Sequence, residues 1–318
     1  MSVNDSSCPV SSAAQNAVLT QFASAYLAQQ RREQRWRWFW RLVWLGVAGA
    51  LLALNWPGMT AHKAPSASHT ALVEVRGAIS ADAEASADRL MASLRDAFED
   101  HGAQAVVLRI NSPGGSPVQA GLVNDEIRRL KGLHKKPVYA VCEEMCASAA
   151  YYIAVAADEI YVDKASIVGS IGVLMDGFGF VGIMDKLGVE RRLMTSGSNK
   201  GMLDPYSPRD PQQEQYAQSM LDQIHEQFIE VVRAGRGKRL KQDDTTFSGL
   251  FWNGQQAVGL GLADHLGSLD QVARDVVKVE DIVDYTQRED LTERLAKRFG
   301  AAMGLGAVEA LRGGWQWR

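Results

Sequence analysis

Cysteine is scarce in this 318-residue chain, which contains only Cys8, Cys142 and Cys146. A structural zinc site needs four ligands, and no second Cys/His pair follows Cys142 and Cys146 at zinc-binding spacing. We therefore predict no metal and no cofactor. Cys142 and Cys146 are expected to be small buried or partly buried thiols, with a disulfide between them as the alternative if the domain is exported.

An excess of positive charge is also lacking, since 34 Lys and Arg residues face 37 Asp and Glu residues and the formal net charge is -3. Without a basic field, a nucleic-acid partner is not expected. Hydrophobic residues make up 46% of the chain and charged residues 22%, which is typical of a globular protein with a sizeable core.

One long apolar run lies near the N-terminus, after a collar of arginines and tryptophans. Residues 38–56 are long enough to cross a bilayer if Arg41 extends to the interface. The positive-inside rule then predicts a cytoplasmic tail at 1–35, a transmembrane anchor at 36–56 in the inner (plasma) membrane, and an extracytoplasmic linker at 57–70. A cleaved signal peptide would have a shorter run and tail, and a buried core helix would not need the collar.

From Ala71 onward, strand and helix patterns alternate, which predicts an α/β fold with a parallel sheet. The predicted strands are 71–76, 105–110, 137–141, 159–162 and 189–194, and the predicted helices are 81–100, 117–130, 147–157, 211–234 and 252–262. Ligands bind beyond the carboxyl ends of such strands. Segments 111–115 and 142–148 both follow strands, so we expect them to meet at one edge of the sheet.

These two segments contain the parts of a nucleophilic site. Ser148 stands among small residues at the start of a helix, where free amides favour an oxyanion. Gly114 and Gly115 allow close approach of a substrate to the backbone. The amides of Gly115 and Ala149 are then candidates for an oxyanion hole. Each feature taken alone is equally typical of an ordinary turn or helix start.

A histidine base is not available nearby in the sequence, because none lies between Ser148 and His225. Lysine can replace histidine as a base if burial lowers its pKa. Lys200, in a Gly/Ser-rich loop, is the candidate, with Ser170 as the residue that would hold its amine. The alternatives are a solvated surface lysine and a turn serine.

Together these segments resemble the signal peptide peptidase A (protease IV) family in its short single-domain form. The resemblance covers about residues 71–270 and is carried by Ser-Pro-Gly-Gly at 112–115, Ala-Ser-Ala-Ala-Tyr-Tyr-Ile-Ala at 147–154, Ala-Ala-Asp-Glu-Ile at 156–160, Ile-Val-Gly-Ser-Ile-Gly-Val at 167–173, Ser196–Lys200, Trp-Asn-Gly-Gln-Gln-Ala at 252–257 and Gly-Leu-Gly-Leu-Ala-Asp at 259–264.

The resemblance implies a ClpP/crotonase-like fold with repeated ββα/βα units, preceded by one transmembrane helix. It implies a membrane-anchored serine endopeptidase that degrades cleaved signal peptides and other unfolded apolar peptides outside the cytoplasm. Ser148 matches the nucleophile, Lys200 the general base, Ser170 the residue that orients the lysine, and Gly115 and Ala149 the oxyanion hole. Short members resemble octamers in which neighbouring protomers complete each site. The peptidase domain is accordingly expected at 71–280, with a C-terminal tail at 281–318.

Three other functions remain open at this point. A Clp-type Ser-His-Asp peptidase requires a histidine downstream of Ser148 in a region that has none. A non-proteolytic, membrane-tethered scaffold of the same fold would only bind peptides. A crotonase-like acyl-CoA enzyme would need a cytoplasmic substrate pool, which the predicted topology disfavours.

Overall fold

The structure, a computed structural model, describes residues 36–49, 67–241 and 243–288. The chain divides into two units, with the boundary between Ala64 and Pro65, and each is described by itself. The predicted tail at 1–35 and residues 50–56 of the predicted anchor lie outside the described residues, as do 57–66 of the linker and 289–318 of the C-terminal tail.

In the first unit, residues 36–49 form helix α1, on which most side chains are exposed. Trp36 stacks on Phe39 with ring centroids 5.8 Å apart. The Arg41 guanidinium lies 5.5 Å from the centroid of the Trp38 ring. Both pairs are three residues apart and therefore neighbours on one helix face. No helix within the described ranges combines the length and the apolar character that a membrane span requires.

In the second unit, eight described strands form one sheet. They are β1 (His69–Arg76), β2 (Ala103–Ser112), β3 (Val138–Ala147), β4 (Glu159–Val162), β5 (Ile167–Gly169), β6 (Phe251–Asn253), β7 (His265–Leu266) and β8 (Ile282–Asp284). The order is β6-β5-β3-β2-β1-β8, and β4 pairs with both β3 and β7. Every pairing is parallel except that of β5 with β6. The predicted α/β fold with a parallel sheet is confirmed, with one antiparallel strand at its edge.

Strand β3 changes its neighbour halfway along its length. Residues Tyr139–Cys142 pair with β4, whereas Met145–Ala147 pair with β5. On its other side, β3 pairs with β2, where Cys142 lies opposite Ile110 and Cys146 lies opposite Ser112. β3 therefore advances four residues while β2 advances two, which means that β3 contains a bulge. This bulge redirects the last residues of β3 towards β5.

Both cysteines of the bulge are buried free thiols. Burial, together with the neighbouring thiol of Cys142, raises the pKa of Cys146. A high pKa keeps a thiol protonated and unreactive, so these groups behave as small apolar side chains of the core.

The helices pack on the sheet and bury most of the core on one face. Their bounds are α2 (Ala87–Glu99), α3 (Pro117–His134), α4 (Ala149–Ala154), α5 (Val181–Leu187), α6 (Pro211–Arg236), α7 (Gly254–Leu260) and α8 (Leu269–Gln271), which continues as π-helical residues Val272–Val277. A smaller apolar cluster on Val107, Val141, Tyr161 and Val272 is formed where the α8 segment covers the sheet. Burial on both faces explains why residues 105–110 of β2 are apolar apart from Arg109.

Several element boundaries predicted from the sequence are wrong. Helix α2 begins at Ala87 rather than Ala81, and β3 extends to Ala147. Trp252 lies in strand β6, because the capping box of Asn253 and Gln256 starts α7 only at Gly254. Residues 189–194 form no strand. The sheet also continues past residue 280, since β8 pairs with β1.

Candidate active site

Ser148 occupies the sharp corner between β3, which ends at Ala147, and α4, which begins at Ala149. Its backbone φ is 54° and ψ is -124°. A residue other than glycine adopts this conformation only at a cost of about 1–3 kcal/mol, which the surrounding structure must offset. The amide of Ser148 donates to the carbonyl oxygen of Gly169 at 2.8 Å, which holds the corner.

The hydroxyl of Ser148 makes no capping hydrogen bond to the helix that follows it. Serine at such a position normally accepts a bond from a helix amide. The strained backbone turns this half-buried hydroxyl out of the capping role and leaves it available to a ligand.

Gly114 packs against this corner more closely than any side chain would permit. The Ser112 hydroxyl accepts the Gly114 amide at 3.1 Å, and φ of Gly114 is 100°. A Cβ on Gly114 would lie 2.7 Å from the Ala147 carbonyl oxygen, 2.8 Å from Cβ of Ser148 and 2.9 Å from the Ala149 amide nitrogen. The predicted meeting of segments 111–115 and 142–148 is therefore present.

Replacing Gly114 with alanine is expected to lower turnover at least about 100-fold, because the new methyl group must displace the Ser148 corner, and a misplacement of about 1 Å can have that effect. Steady-state cleavage of casein checks this. Gly121→Ala in α3 is the matched control, since nothing lies within 4 Å of a Cβ there. If both variants cleave at the wild-type rate, the close packing at Gly114 does not matter for turnover.

The Gly115 segment pairs with Ile79, which orients the Gly115 amide. Ile79 donates to the Gly114 carbonyl at 2.9 Å, and Ser116 donates to the Ile79 carbonyl at 2.8 Å. In this parallel bridge the amide of Gly115 itself points away from Ile79, to the side on which β3 lies. Gly115 is exposed, and the Ala149 amide begins a helix nearby. Two amides thus border the Ser148 corner.

Ser170 lies beside the same corner, because it follows Gly169, the hydrogen-bond partner of Ser148. Its amide donates to the Leu250 carbonyl at 2.8 Å, and its φ is 52°. His225, the first histidine after Ser148 in the chain, contacts the next residue, with its Nε2 2.9 Å from the Ile171 carbonyl oxygen. Since a carbonyl only accepts, that nitrogen carries the proton of this bond.

Lys200 lies in a turn, its amide donating to the Gly197 carbonyl at 3.1 Å, and its side chain is exposed. Across residues 67–241 and 243–288, no ion pair or hydrogen bond of its ammonium group is found. Its role as the base therefore stays a prediction. Ser148, Ala149 and Ser170 lie together around the corner, with Gly115 next to Gly114.

The segment that carries Lys200, residues 174–203, exposes several large apolar side chains. Leu174 is 81% exposed, Phe178 80% and Met194 95%. A cavity of about 1050 Å³ lies between this segment and α6, with Met175, Phe178, Leu193, Leu203 and Leu221 among its lining residues. Within the described ranges no cluster of metal-ligating side chains is found.

Three residues that sequence reasoning left without a role support the corner. They are Ser112, which accepts the Gly114 amide; Gly169, which accepts the Ser148 amide; and Trp252, which packs on Gly169. All three residues stand inside the motifs at 112–115, 167–173 and 252–257, but nothing in a single sequence separates a supporting contact from a turn.

Comparison with known proteins identifies the family. The sequence profile of peptidase family S49 matches residues 132–283. A candidate protease of Methanocaldococcus jannaschii is 31% identical over 227 residues, which cover 68% of this chain and 71% of that protein. The chain belongs to peptidase family S49. The resemblance to the signal peptide peptidase A (protease IV) family is thereby confirmed.

Two longer proteins each match about two thirds of this chain. Protease 4 of Haemophilus influenzae is 33% identical over 226 residues, covering 69% of this chain and 35% of that protein. A Brucella melitensis protein named Na+/H+ antiporter NhaA is 43% identical over 220 residues, covering 68% of this chain and 29% of that protein. The chain therefore spans only about a third of the length of each of these two proteins.

Proposed function

We propose that this chain is a serine endopeptidase in which Ser148 is the nucleophile. The observation that carries the proposal is the corner itself: a serine at φ 54°, with its hydroxyl free of capping, faces a glycine pair and the first amide of a helix. Amide hydrolysis needs a nucleophile and preorganised donors for the developing oxyanion. The Ser148 hydroxyl fills the first role, and the amides of Gly115 and Ala149 fill the second. No cofactor takes part.

Lys200 is proposed as the general base, with Ser170 positioning its amine. Because Lys200 is exposed in one protomer, the base reaches a serine only when another copy of the chain covers this segment. The exposed apolar residues Leu174, Phe178 and Met194 fit such a self-association, since isolated chains rarely keep apolar surface of this extent in water. A homo-oligomer, an octamer by family resemblance, is the proposed assembly.

The proposed substrates are cleaved signal peptides and other unfolded apolar peptides. The apolar residues lining the cavity beside the Lys200 segment are suited to such chains. The proposal also includes a ClpP/crotonase-like fold, a transmembrane anchor at 36–56 and a peptidase domain outside the cytoplasm. The Arg and Trp collar of α1 supports the anchor, because tryptophan and arginine favour the bilayer interface.

A mixing experiment tests whether Lys200 acts on the serine of another protomer. Full-length Ser148→Ala and Lys200→Ala proteins are each expected to be inactive. When they are dissociated together and reassembled, some sites pair an intact serine with an intact lysine from the other variant. Mixed assemblies should recover about a quarter to a half of wild-type casein cleavage, on the reasoning that neighbouring chains share sites. Lack of recovery, in assemblies shown to be mixed, would assign Lys200 to its own protomer.

A non-proteolytic peptide-binding scaffold is the second candidate, because the Lys200 side chain is exposed in the single chain. A fluorophosphonate probe separates the two functions, since it reacts only with an activated serine. Labelling of the wild-type protein and none of Ser148→Ala supports the peptidase. Tight binding of an apolar peptide without labelling would favour the scaffold.

A further inference from the structure

Strand β6 stands at the edge of the sheet and donates none of the groups proposed to react. Its pairing with β5 is the only antiparallel one among the described strands, with Val168 opposite Trp252 and Gly169 opposite Phe251. Its partner β5 ends at the residue that holds Ser148. The contacts of β6 therefore bear on the geometry of the nucleophile.

The Trp252 side chain packs directly on the backbone of Gly169. A Cβ on Gly169 would lie 2.7 Å from both Cε3 and Cζ3 of the indole ring and 3.3 Å from the Leu250 carbonyl oxygen. Gly169 has φ 107°, a conformation that L side chains rarely adopt. The ring thus occupies the place where another residue would have a side chain, and it limits the movement of the Gly169 peptide.

Gly169 in turn fixes the Ser148 corner. Its carbonyl oxygen accepts the Ser148 amide at 2.8 Å, and Gly169 pairs with Ala147 in the β3–β5 register. The positive φ of Ser148 is a strained state that persists only where neighbouring contacts enforce it. Among the described residues, this hydrogen bond is how a residue outside β3 and α4 holds the Ser148 amide in place.

The residues that precede Trp252 hold Ser170 in the same way. The Leu250 carbonyl accepts the Ser170 amide at 2.8 Å. A Cβ on Gly172 would lie 3.1 Å from Cα of Gly249, so the two backbones are in close contact. The backbone of Gly249 and Leu250 therefore supports the residue proposed to orient the base, and the Trp252 ring supports the proposed nucleophile.

We propose that Trp252 is a positioning residue for the nucleophile: its indole ring fixes the Gly169 peptide, and the Gly169 carbonyl fixes the Ser148 backbone. This inference rests on the proposed peptidase function. Loss of the ring frees Gly169 to rotate, which weakens the bond to Ser148 and lets the hydroxyl move relative to the Gly115 and Ala149 amides. Substrate binding does not depend on the ring, whereas the rate of attack does.

The test compares Trp252→Phe, Trp252→Leu and Trp252→Ala in the full-length protein. Phenylalanine keeps a flat six-membered ring, leucine keeps apolar volume without a ring, and alanine removes both. We expect kcat to fall about 10- to 100-fold in the leucine and alanine variants with KM changed less than about twofold, and phenylalanine to retain at least about a third of kcat. The rate of fluorophosphonate labelling should fall in parallel with kcat.

Phe251→Ala is the matched control, because Phe251 is the preceding residue of β6 and is 64% exposed. It should retain wild-type labelling. Thermal melting identifies the variants that fold, and if the alanine variant does not, the leucine variant decides. Wild-type kcat and labelling in a folded leucine or alanine variant would overturn the positioning role. A rise in KM at constant kcat would also overturn it.

A double-variant comparison isolates the contact itself. Gly169→Ala alone should lower labelling more than about 100-fold, because its methyl group would collide with the indole ring. In Gly169→Ala/Trp252→Ala the collision is gone, so the combined loss should be at least about tenfold smaller than the product of the single losses. If the double variant loses labelling by the full product of the two single losses, the two residues do not interact, and the proposed contact is disproved. Failure of the wild type to label, or labelling of Ser148→Ala, would instead overturn the proposed function.

Discussion

Replacing Ser148 with alanine is expected to lower cleavage of casein or an apolar peptide by at least about 1,000-fold while leaving the fold intact. The alanine methyl group retains the Cβ that packs against Gly114 and removes only the hydroxyl, which makes no capping bond. A serine peptidase without its nucleophile loses several orders of magnitude in turnover. Initial rates at saturating substrate, together with a thermal melt, provide the measurement.

The matched control for this change is Ser80→Ala. Ser80 is exposed, and its backbone carbonyl rather than its side chain accepts the nearby turn hydrogen bond from Ala83. This variant should cleave at the wild-type rate, because the bond remains. Cleavage by a pure, folded Ser148→Ala protein within about tenfold of wild type would disprove the assignment of the nucleophile.

The second large effect concerns stability and involves the ion pair between Arg236 and Asp264. Arg236, at the end of α6, is 1% exposed and donates to both carboxylate oxygens at 2.7 and 2.8 Å. Its Nε donates to the Gly261 carbonyl at 2.8 Å, and the Ile160 amide donates to Asp264 at 2.8 Å. The pair therefore ties α6 and the turn after α7 to strand β4.

Asp264→Asn is expected to lower the free energy of unfolding by about 3–5 kcal/mol, because it leaves the Arg236 charge buried without its counter-charge. Urea denaturation followed by circular dichroism measures the change. Asp244→Asn, at an exposed carboxylate, should alter stability by less than about 0.5 kcal/mol. In Arg236→Met/Asp264→Leu both charges are removed, and most of the lost stability should return. Equal stability of Asp264→Asn and wild type would show that the pair is dispensable.

The ion pair between Arg236 and Asp264 also makes the free energy of unfolding depend on pH. Burial by itself raises the pKa of Asp264, but hydrogen bonds from Arg236 and the Ile160 amide outweigh it and hold the pKa below its usual value. The folded pKa is therefore lower than the unfolded one. The stabilisation is fully present above the unfolded pKa of about 3.9 and is lost as the pH falls through the folded value. The stability gap between wild type and Asp264→Asn should accordingly narrow below about pH 4.

Strand β2 could be predicted because residues 105–110 are buried on both faces and are apolar apart from Arg109. β1 and β4 also fall close to the predicted segments, and α3 begins at the predicted Pro117. The second half of β3 could not be found in this way. Residues 143 and 144 lie between the part of β3 that pairs with β4 and the part that pairs with β5, so neither alternation nor a continuous apolar run marks this stretch as strand.

The strand predicted at 189–194 is absent for a different reason. Val189 and Met194 are exposed in the described chain, and no neighbouring strand is present for this segment among residues 67–241 and 243–288. A strand needs a neighbour that pairs with its backbone groups, and the sequence of the segment itself does not show whether one is available. Helix α5, at Val181–Leu187, was missed because glycines interrupt its pattern.

The candidate site was predictable in part. The motifs located Ser148, Gly115, Ala149 and Ser170, and the topology explains their meeting: each follows a strand whose carboxyl end lies at one edge of the sheet. The role of Trp252 was not predictable, because its contact with Gly169 joins residues 83 positions apart and leaves no local periodicity. The role of Lys200 stays a prediction, because sequence spacing does not show whether a loop lysine faces the serine of its own chain or that of another chain.

The bulge in β3 also determines which sequence changes this family member can tolerate. Because side chains alternate along a strand, the face on which Ser148 emerges depends on the register set at Cys146 and Ala147. Upstream, Glu143 and Glu144 fall between the paired segments and are only partly buried or exposed. Length changes there can be absorbed without moving the corner, whereas one residue inserted between Cys146 and Ser148 would turn the hydroxyl to the opposite face. Insertions in natural or engineered variants are therefore expected upstream of Met145 and absent from the three residues before α4.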